Sequence, residues 1–137
     1  SFLSAQIPEQ YLPSVRLRVW LYKELASLKT LKRLESFRKK TIGLFGELPP
    51  LVNNLILLKE LEILGGLCYF LKLDLKKDVV LFYLDSFFWK NKIDSLISAL
   101  IGYKFVLVDG GKVLRVDLPY KSVLDLLNKI YGGLKSG

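Results

Sequence analysis

The 137-residue sequence predicts an α+β protein, in which N-terminal helices are packed with a small antiparallel sheet and two further helices. Two observations lead to this class. Apolar residues recur at helical spacing up to Gly66, and beyond it their period changes to two, which is typical of strands. Residues 109–112, Asp-Gly-Gly-Lys, then separate two apolar stretches, and this indicates a β-hairpin because glycine allows positive φ.

The chain is predicted to begin with an extended lead-in over residues 1–14. Pro8 and Pro13 both hold the preceding residue out of the helical region. Ser14 is a suitable N-cap for a first helix that should run to about Lys29. Val15 and Trp20 flank an inner face of leucines at helical spacing, Leu17, Leu21, Leu25 and Leu28.

The second helix is predicted to begin after Thr30 and to end near Gly43, with a sharp turn at Gly46. Its inner face is formed by Leu31, Leu34, Phe37 and Thr41. The other positions give the helix a strongly basic face, made of Lys32, Arg33, Glu35, Arg38, Lys39 and Lys40.

Pro49 and Pro50 open a third helix, since proline is tolerated at the first helical position. Residues 51–63 are apolar on nearly every side of this helix, which predicts that it is the central buried one. The glycines at 65 and 66 are expected to end it.

The second half of the chain predicts two strand pairs and two helices. Leu71, Leu73 and Leu75 alternate with polar residues, and a turn at 76–78 leads into a strand over 79–84. A helix is predicted over 86–101, strands over 103–108 and 113–118, and a last helix over 120–134 that frays at its two glycines. The inward residues of the two helices are expected to be Trp89, Ile93, Leu96, Ile97 and Leu100, then Val123, Leu127, Ile130 and Leu134.

The residue inventory argues against catalysis. The chain has no histidine, so the commonest general base and metal ligand at neutral pH is missing. Cys68 has no histidine partner and is expected to fill the core. The glycine pairs lack the strand–loop–helix context and the Lys-Ser/Thr of a phosphate loop. We therefore predict a non-enzymatic chain with no catalytic residue, no metal site and no cofactor.

Net charge, hydropathy and cysteine content predict which partners the chain can meet and where in the cell it lies. Lys and Arg outnumber Asp and Glu by 21 to 13, and the net charge of +8 favours encounter with polyanions such as nucleic acid, unless it is simply a solvated basic surface. The apolar runs are shorter than the ~20 residues of a membrane span, so we expect no membrane partner. A single cysteine suits a cytoplasmic location. Because the chain starts at Ser1, we expect it to be part of a longer protein.

Two surfaces are candidates for nucleic-acid contact. One is the basic face of the second helix, where Lys32 and Arg33 could meet phosphates, and its alternative is an ordinary solvated face. The other is the aromatic run at 87–90, where Phe88 and Lys90 could bind single strands by stacking and charge. The alternative there is a helix N-terminus with Trp89 in the core.

Three short blocks carry a family resemblance. They read Ile-Pro-Glu-Gln-Tyr-Leu-Pro-Ser at 7–14, Arg-Val-Trp-Leu-Tyr-Lys-Glu-Leu-Ala at 18–26, and Gly-Leu-Phe-Gly-Glu-Leu-Pro at 43–49. In order and in gaps they resemble the C-terminal domain of the bacterial transcription-repair coupling factor. The resemblance is firmest over residues 5–61 and covers nearly the whole chain.

The resemblance implies a function as well as a fold. The parent proteins of this family are ATP-driven, helicase-like DNA translocases that displace stalled RNA polymerase and recruit the UvrA protein in DNA repair. Their C-terminal domain is regulatory, and it packs against the N-terminal, UvrA-binding module of the same protein and masks it. By resemblance, residues 15–137 are this domain, and 1–14 lead in from an upstream translocase module.

One pair of positions departs from the family pattern. Family members place two acidic residues one turn apart against arginines of the masked module, whereas the corresponding residues here are Lys40 and Gly43, with Leu44 in place of an arginine. Together with Lys39 these residues are expected to form the interaction surface at the exposed end of the second helix. A mismatched, desolvated charge pair costs about 2–5 kcal/mol, so a partner that kept its arginines would be repelled.

Overall fold

The computed structural model describes residues 2–136, which contain six α-helices and one four-stranded antiparallel sheet. The helices are α1 (Val15–Ser27), α2 (Leu31–Phe45), α3 (Pro50–Leu67), α4 (Ser86–Trp89), α5 (Ile93–Ala99) and α6 (Val123–Ser136). The strands are β1 (Phe70–Lys76), β2 (Val79–Leu84), β3 (Phe105–Val108) and β4 (Val113–Asp117). The predicted α+β class with a small antiparallel sheet is confirmed.

The chain divides into two compact units, one of residues 3–63 and one that combines Phe2 with the residues from Leu64 onward. The N-terminal unit contains α1, α2 and most of α3. Its core combines residues of the three helices with two residues of the lead-in and one of the loop between α2 and α3, and consists of Ile7, Leu12, Leu21, Leu25, Leu34, Phe37, Leu48, Val52 and Ile56. The lead-in is therefore an integral part of this unit, while its role as a connection to an upstream module stays a prediction.

Side-chain hydrogen bonds fix the lead-in. The backbone N–H of Ile7 donates to the hydroxyl of Tyr22 on α1 at 2.7 Å. The guanidinium of Arg18 donates to the carbonyl oxygens of Leu12 and Pro13 at 2.7 and 2.9 Å. These bonds satisfy backbone groups that no helix or strand can serve, because two prolines keep this segment irregular.

The ends of α1 and α2 follow from local chemistry. Ser14 and Thr30 are the predicted N-caps, and their hydroxyls accept from backbone N–H groups at 3.2 and 3.1 Å. The second helix runs past Gly43 and ends at Phe45, where Gly46 adopts φ 96°. The hydroxyl of Tyr11 donates to the carbonyl of Gly46 at 2.8 Å and so fixes this turn to the lead-in.

The third helix is longer than predicted. Its apolar residues between 51 and 63 are buried or half-buried, as expected for an all-round apolar helix. It continues through Gly65 and Gly66 to Leu67, so the predicted stop at the glycine pair is wrong. Glycine costs a helix only about 1 kcal/mol. At Gly65 an added Cβ would lie 2.8 Å from Cδ1 of Leu73, so the absence of a side chain here lets Leu73 of β1 pack directly against α3.

The C-terminal unit is built on the sheet, with strand order β1-β2-β4-β3. Val80 and Phe82 of β2 lie opposite Val116 and Leu114 of β4, and all four side chains are fully buried. The predicted hairpin between β3 and β4 is present, and Asp109, Gly110 and Gly111 all have positive φ. The alternation of β2 thus points one residue in two into the core.

The alternation predicted for β1 is wrong at one position. Leu71 was expected to face inward with Leu73 and Leu75, yet it is 73% exposed. The register between β1 and β2 shifts between Phe70 and Lys72. This bulge inserts an extra residue into β1, so Phe70 takes the buried position and Leu71 points outward.

The remaining helices also differ in detail from the sequence pattern. The predicted helix over 86–101 is divided into α4 and α5, and the break turns Ile97 outward while Leu96 and Leu100 are buried. Asp85 caps α4 by accepting from the N–H of Phe88 at 3.2 Å. The last helix starts at Val123 after a short 3-10 turn and passes its two glycines to reach Ser136, so the predicted fraying is wrong.

The two adjacent glycines of α3 give a matched test of packing. We expect Gly66→Ala to stabilise the protein by about 0.5–1 kcal/mol, because nothing lies within 4 Å of the new methyl group and alanine favours the helix. Gly65→Ala should lose that gain or destabilise, since Leu73 must move. Urea unfolding of both variants measures the difference, and equal gains would contradict the close approach of Leu73.

Candidate interaction groove on the N-terminal unit

Helices α1 and α2 form a pair with a groove between them. Residues 28–30 connect them, and the Lys40 ammonium lies 5.4 Å from the centre of the Trp20 ring, so the helices run antiparallel. The groove has a volume of about 210 Å³. Its lining residues recur at helical spacing and are Trp20, Leu21 and Glu24 of α1, Leu28 directly after α1, and Arg33, Ser36, Phe37, Lys40, Thr41 and Leu44 of α2.

The floor of the groove is apolar. Leu21 and Phe37 belong to the core of the unit, and their edges reach the groove. Thr41 is 2% exposed, and its hydroxyl donates to the carbonyl of Phe37 at 2.7 Å. The one buried polar group in the floor is thus satisfied within α2, which leaves its methyl group for contact.

The rim of the groove is basic on the α2 side. Arg33 and Lys40 line it from α2, and Glu24 lines it from α1. The Lys40 contact with Trp20 is a cation–π interaction, worth about 0.5–1 kcal/mol at an exposed site. Elsewhere on α2, Arg38 donates to the carboxylate of Glu35 at 3.3 Å and lowers the pKa of that carboxyl.

The four predicted interaction residues lie together on the last turns of α2. Lys39, Lys40, Gly43 and Leu44 are all exposed, and Leu44 is 58% exposed. Lys40 and Leu44 line the groove, whereas Lys39 and Gly43 lie beside it. An added side chain at Gly43 would meet no atom within 4 Å. Their part in a protein contact stays a prediction.

Sequence reasoning missed the α1 side of this site. The leucine spacing puts Trp20 beside the inner face of α1 and does not single out Glu24. Both lie on one face of α1 with Leu28, four residues apart, and that spacing was a visible signal. The groove itself depends on how α1 and α2 pack, which the spacing on one helix does not give.

The nucleic-acid candidates fall in different units. Lys32 and Arg33 are exposed in the first turn of α2. In the C-terminal unit, Lys90 is exposed, but the ring of Phe88 stacks on Tyr69 at 3.7 Å between centroids. One face of Phe88 is therefore already covered. The aromatic side chain of this run that does project into solvent is Phe87, which is 92% exposed.

Trp89 and Cys68 are core residues of the C-terminal unit. Trp89 is 2% exposed, and its indole N–H donates to the carbonyl of Tyr69 at 3.2 Å. Cys68 is fully buried, and its thiol donates to the carbonyl of Leu127 at 3.5 Å. Burial raises the pKa of the Cys68 thiol to about 12, so the nucleophilic thiolate is scarce at neutral pH.

Residues 2–136 contain neither a metal-binding cluster nor a membrane-spanning helix. This part of the chain holds no group of three or more His, Cys, Asp or Glu residues that could bind a metal ion. None of its helices is both long enough and apolar enough to cross a membrane.

The fold is that of a known class of domain. The structure is similar to the crystal structure of a C-terminal domain of transcription-repair coupling factor, with a TM-score of 0.78 over 99% of this chain and 89% of that chain, at 16% sequence identity. Residues 2–93 match the family model of the TRCF domain. The chain therefore belongs to the TRCF domain family. A search of curated protein sequences found no significant match.

The buried thiol gives a prediction about reactivity. We expect Cys68 in the folded protein to resist a thiol reagent such as DTNB at pH 8, because the side chain is inaccessible and its pKa is about 12. In a denaturing concentration of urea the same thiol should react fully within minutes. Rapid reaction without urea would contradict the buried position.

Proposed function

We propose that this chain is a non-catalytic regulatory domain at the C-terminus of a transcription-repair coupling factor, and that it masks the UvrA-binding module of the same protein. The parent protein would then be an ATP-dependent DNA translocase of the cytoplasm, which displaces stalled RNA polymerase and recruits UvrA in transcription-coupled repair. The observation that carries this proposal is the exposure of residues 40, 43 and 44 beside an apolar groove.

The surface has the features that a protein contact needs. Trp20 and Leu44 supply apolar area at the groove, and Arg33 and Lys40 supply charge at its rim. Aromatic and Arg side chains around a well-packed pocket are typical of the residues that dominate binding energy at interfaces. Gly43 leaves open space in which a partner side chain can approach the α2 backbone.

The charge of this surface predicts the charge of the partner surface. The family contact uses carboxylates on this helix end, whereas this chain presents Lys39 and Lys40. A module that had kept its arginines would meet like charge, and like-charge juxtaposition costs several kcal/mol. We infer that the partner surface of this protein has changed in compensation.

A charge-restoring variant tests the proposed function. We expect Lys40→Glu with Gly43→Asp to weaken binding to the N-terminal module of the parent protein about tenfold, because the variant replaces a cation by two carboxylates opposite a compensating partner. Tenfold corresponds to about 1.4 kcal/mol. Isothermal titration calorimetry of the two purified parts measures it.

The matched control for this experiment is Lys40→Gln with Gly43→Asn, which has nearly the same shape without the carboxylates. Its effect should be smaller than that of the charged pair. A stronger complex with Glu and Asp would still place the contact here and would mean that the partner kept its arginines. Unchanged affinity would mean that this helix end is not the contact surface, and no binding by the unmodified chain would refute the masking role.

The second candidate function is nucleic-acid binding. The observation that favours it is Phe87, which is 92% exposed and is followed in the sequence by the exposed cations Lys90 and Lys92. Exposed aromatic rings beside cations bind single strands by stacking, at about 1–3 kcal/mol per base. The stacking of Phe88 on Tyr69 argues against a larger platform, because only one ring of this run is fully free.

A fluorescence anisotropy titration separates the two functions. We expect labelled single-stranded and duplex oligonucleotides to bind only in the non-specific range, with Kd above about 1 µM at physiological salt, because charge alone attracts them. Phe87→Ser should leave both affinities within twofold. Tight single-strand binding that falls at least fivefold in Phe87→Ser would establish the nucleic-acid function instead.

A further inference from the structure

The groove between α1 and α2 has the dimensions of a docking site for a helical segment. Its α2 lining extends from Arg33 to Leu44, eleven residues apart, which is about 16 Å at 1.5 Å per residue. Its volume of about 210 Å³ is smaller than the roughly 300–1,000 Å³ of pockets that enclose small ligands. A long, shallow groove of this size fits one or two anchoring side chains of a larger partner.

The floor selects apolar anchors. Trp20, Leu21 and Phe37 contribute apolar surface to the groove, and the hydroxyl of Thr41 is already engaged with a backbone carbonyl. A side chain that needs a hydrogen-bond donor would lose water here without gaining a donor from that hydroxyl, whose proton is already used. Leu or a similar side chain would instead bury Leu44, which is 58% exposed in the free domain.

The rim selects carboxylates, and it does so at a defined spacing. Arg33 and Lys40 are seven residues apart on α2, which places them two helical turns and about 10 Å apart on the groove side. Glu24 lines the opposite rim on α1. The two walls therefore differ in charge, and a bound segment gains by placing acidic residues over α2.

We propose that this groove binds an amphipathic helical segment of a protein whose two carboxylates, seven residues apart, lie over Arg33 and Lys40 and whose leucine-like anchors fill the floor. Helices that lie with one apolar face in a groove are a recurrent mode of recognition. The proposal deepens the proposed function, on which it rests for the identity of the partner, by specifying the partner's chemistry. The groove geometry itself belongs wholly to the N-terminal unit.

The probe is a capped peptide of about fourteen residues with two glutamates seven residues apart and two leucines between them at helical spacing. The readout is the pair of indole N–H signals in a two-dimensional NMR spectrum, because the chain has two tryptophans. Trp20 lines the groove, whereas Trp89 is buried in the other unit. We expect saturable movement of the Trp20 signal that exceeds any movement of the Trp89 signal.

Variants locate the binding site. Lys40→Glu should weaken peptide binding at least fivefold, and Leu44→Ser should weaken it at least threefold through the lost apolar contact. Lys23→Glu is the matched control, because Lys23 is an exposed residue of α1 that does not line the groove and the charge change is the same. The control should change the affinity less than twofold. If Lys40→Glu and Lys23→Glu weakened peptide binding equally, the effect would come from net charge alone, and the groove would not be the binding site.

Further probes distinguish an acidic amphipathic segment from other ligands of the groove. A peptide with lysines in place of the glutamates should bind at least fivefold more weakly, and so should a glutamate peptide without leucines. Equal binding by either peptide overturns the proposal. An oligothymidylate that moves the Trp20 signal as strongly as the acidic peptide would make the groove a nucleic-acid site, which also overturns it.

The same measurements distinguish a failure of this inference from a failure of the proposed function. If the peptide binds as described and the N-terminal module of the parent does not bind, then the groove stands and the masking role fails. If the module binds more tightly after Lys40→Glu with Gly43→Asp, then the masking role stands and the acidic segment is overturned.

Discussion

The N-terminal unit depends on the hydrogen bonds that tie its irregular lead-in to α1. Residues 7–13 contain two prolines and form no helix or strand, so the backbone groups that their own turn at Pro8 leaves unpaired need partners from side chains. Tyr22 and Arg18 supply those partners, and the bonds place Ile7 and Leu12 in the core. Each bond adds a net of about 0.5–1.5 kcal/mol, and loss of a partner would leave a part-buried group unsatisfied at greater cost. These residues also lie in the sequence blocks that carry the family resemblance. The resemblance therefore mainly reflects the need to hold the lead-in against α1.

Local chemistry made part of the fold predictable. The caps at Ser14 and Thr30 and the positive-φ hairpin at 109–111 each depend on a few neighbouring residues, and each is present. The errors arose where tertiary packing decided the outcome. The bulge in β1 turned Leu71 outward, and packing carried α3 through a glycine pair that weakens an isolated helix.

The candidate site was predictable only on one side. The basic end of α2 could be located from the sequence because its cations and Gly43 fall within two turns of one helix. The groove required the packing of α1 against α2, since Trp20 and Lys40 are twenty residues apart and meet only in the folded unit. Helical spacing shows which residues share a face, but it does not show which two faces leave a gap between them.

The proposed contact surface and the fold depend on different residues, so the charge of that surface can change at little cost to the fold. Lys40 and Gly43 are exposed, and Gly43 has open space around it, so replacing the family's carboxylates there costs the fold little. Tyr11 has no such freedom, because its hydroxyl holds the turn at Gly46 while its ring meets Phe45 edge-on at 6.5 Å. A surface that can exchange its charge without loss of stability can follow any change in its partner. If the groove binds the partner that we propose, the basic rim on α2 reflects the charge of that partner, whereas the apolar floor, which includes the core residues Leu21 and Phe37, is also required by the fold.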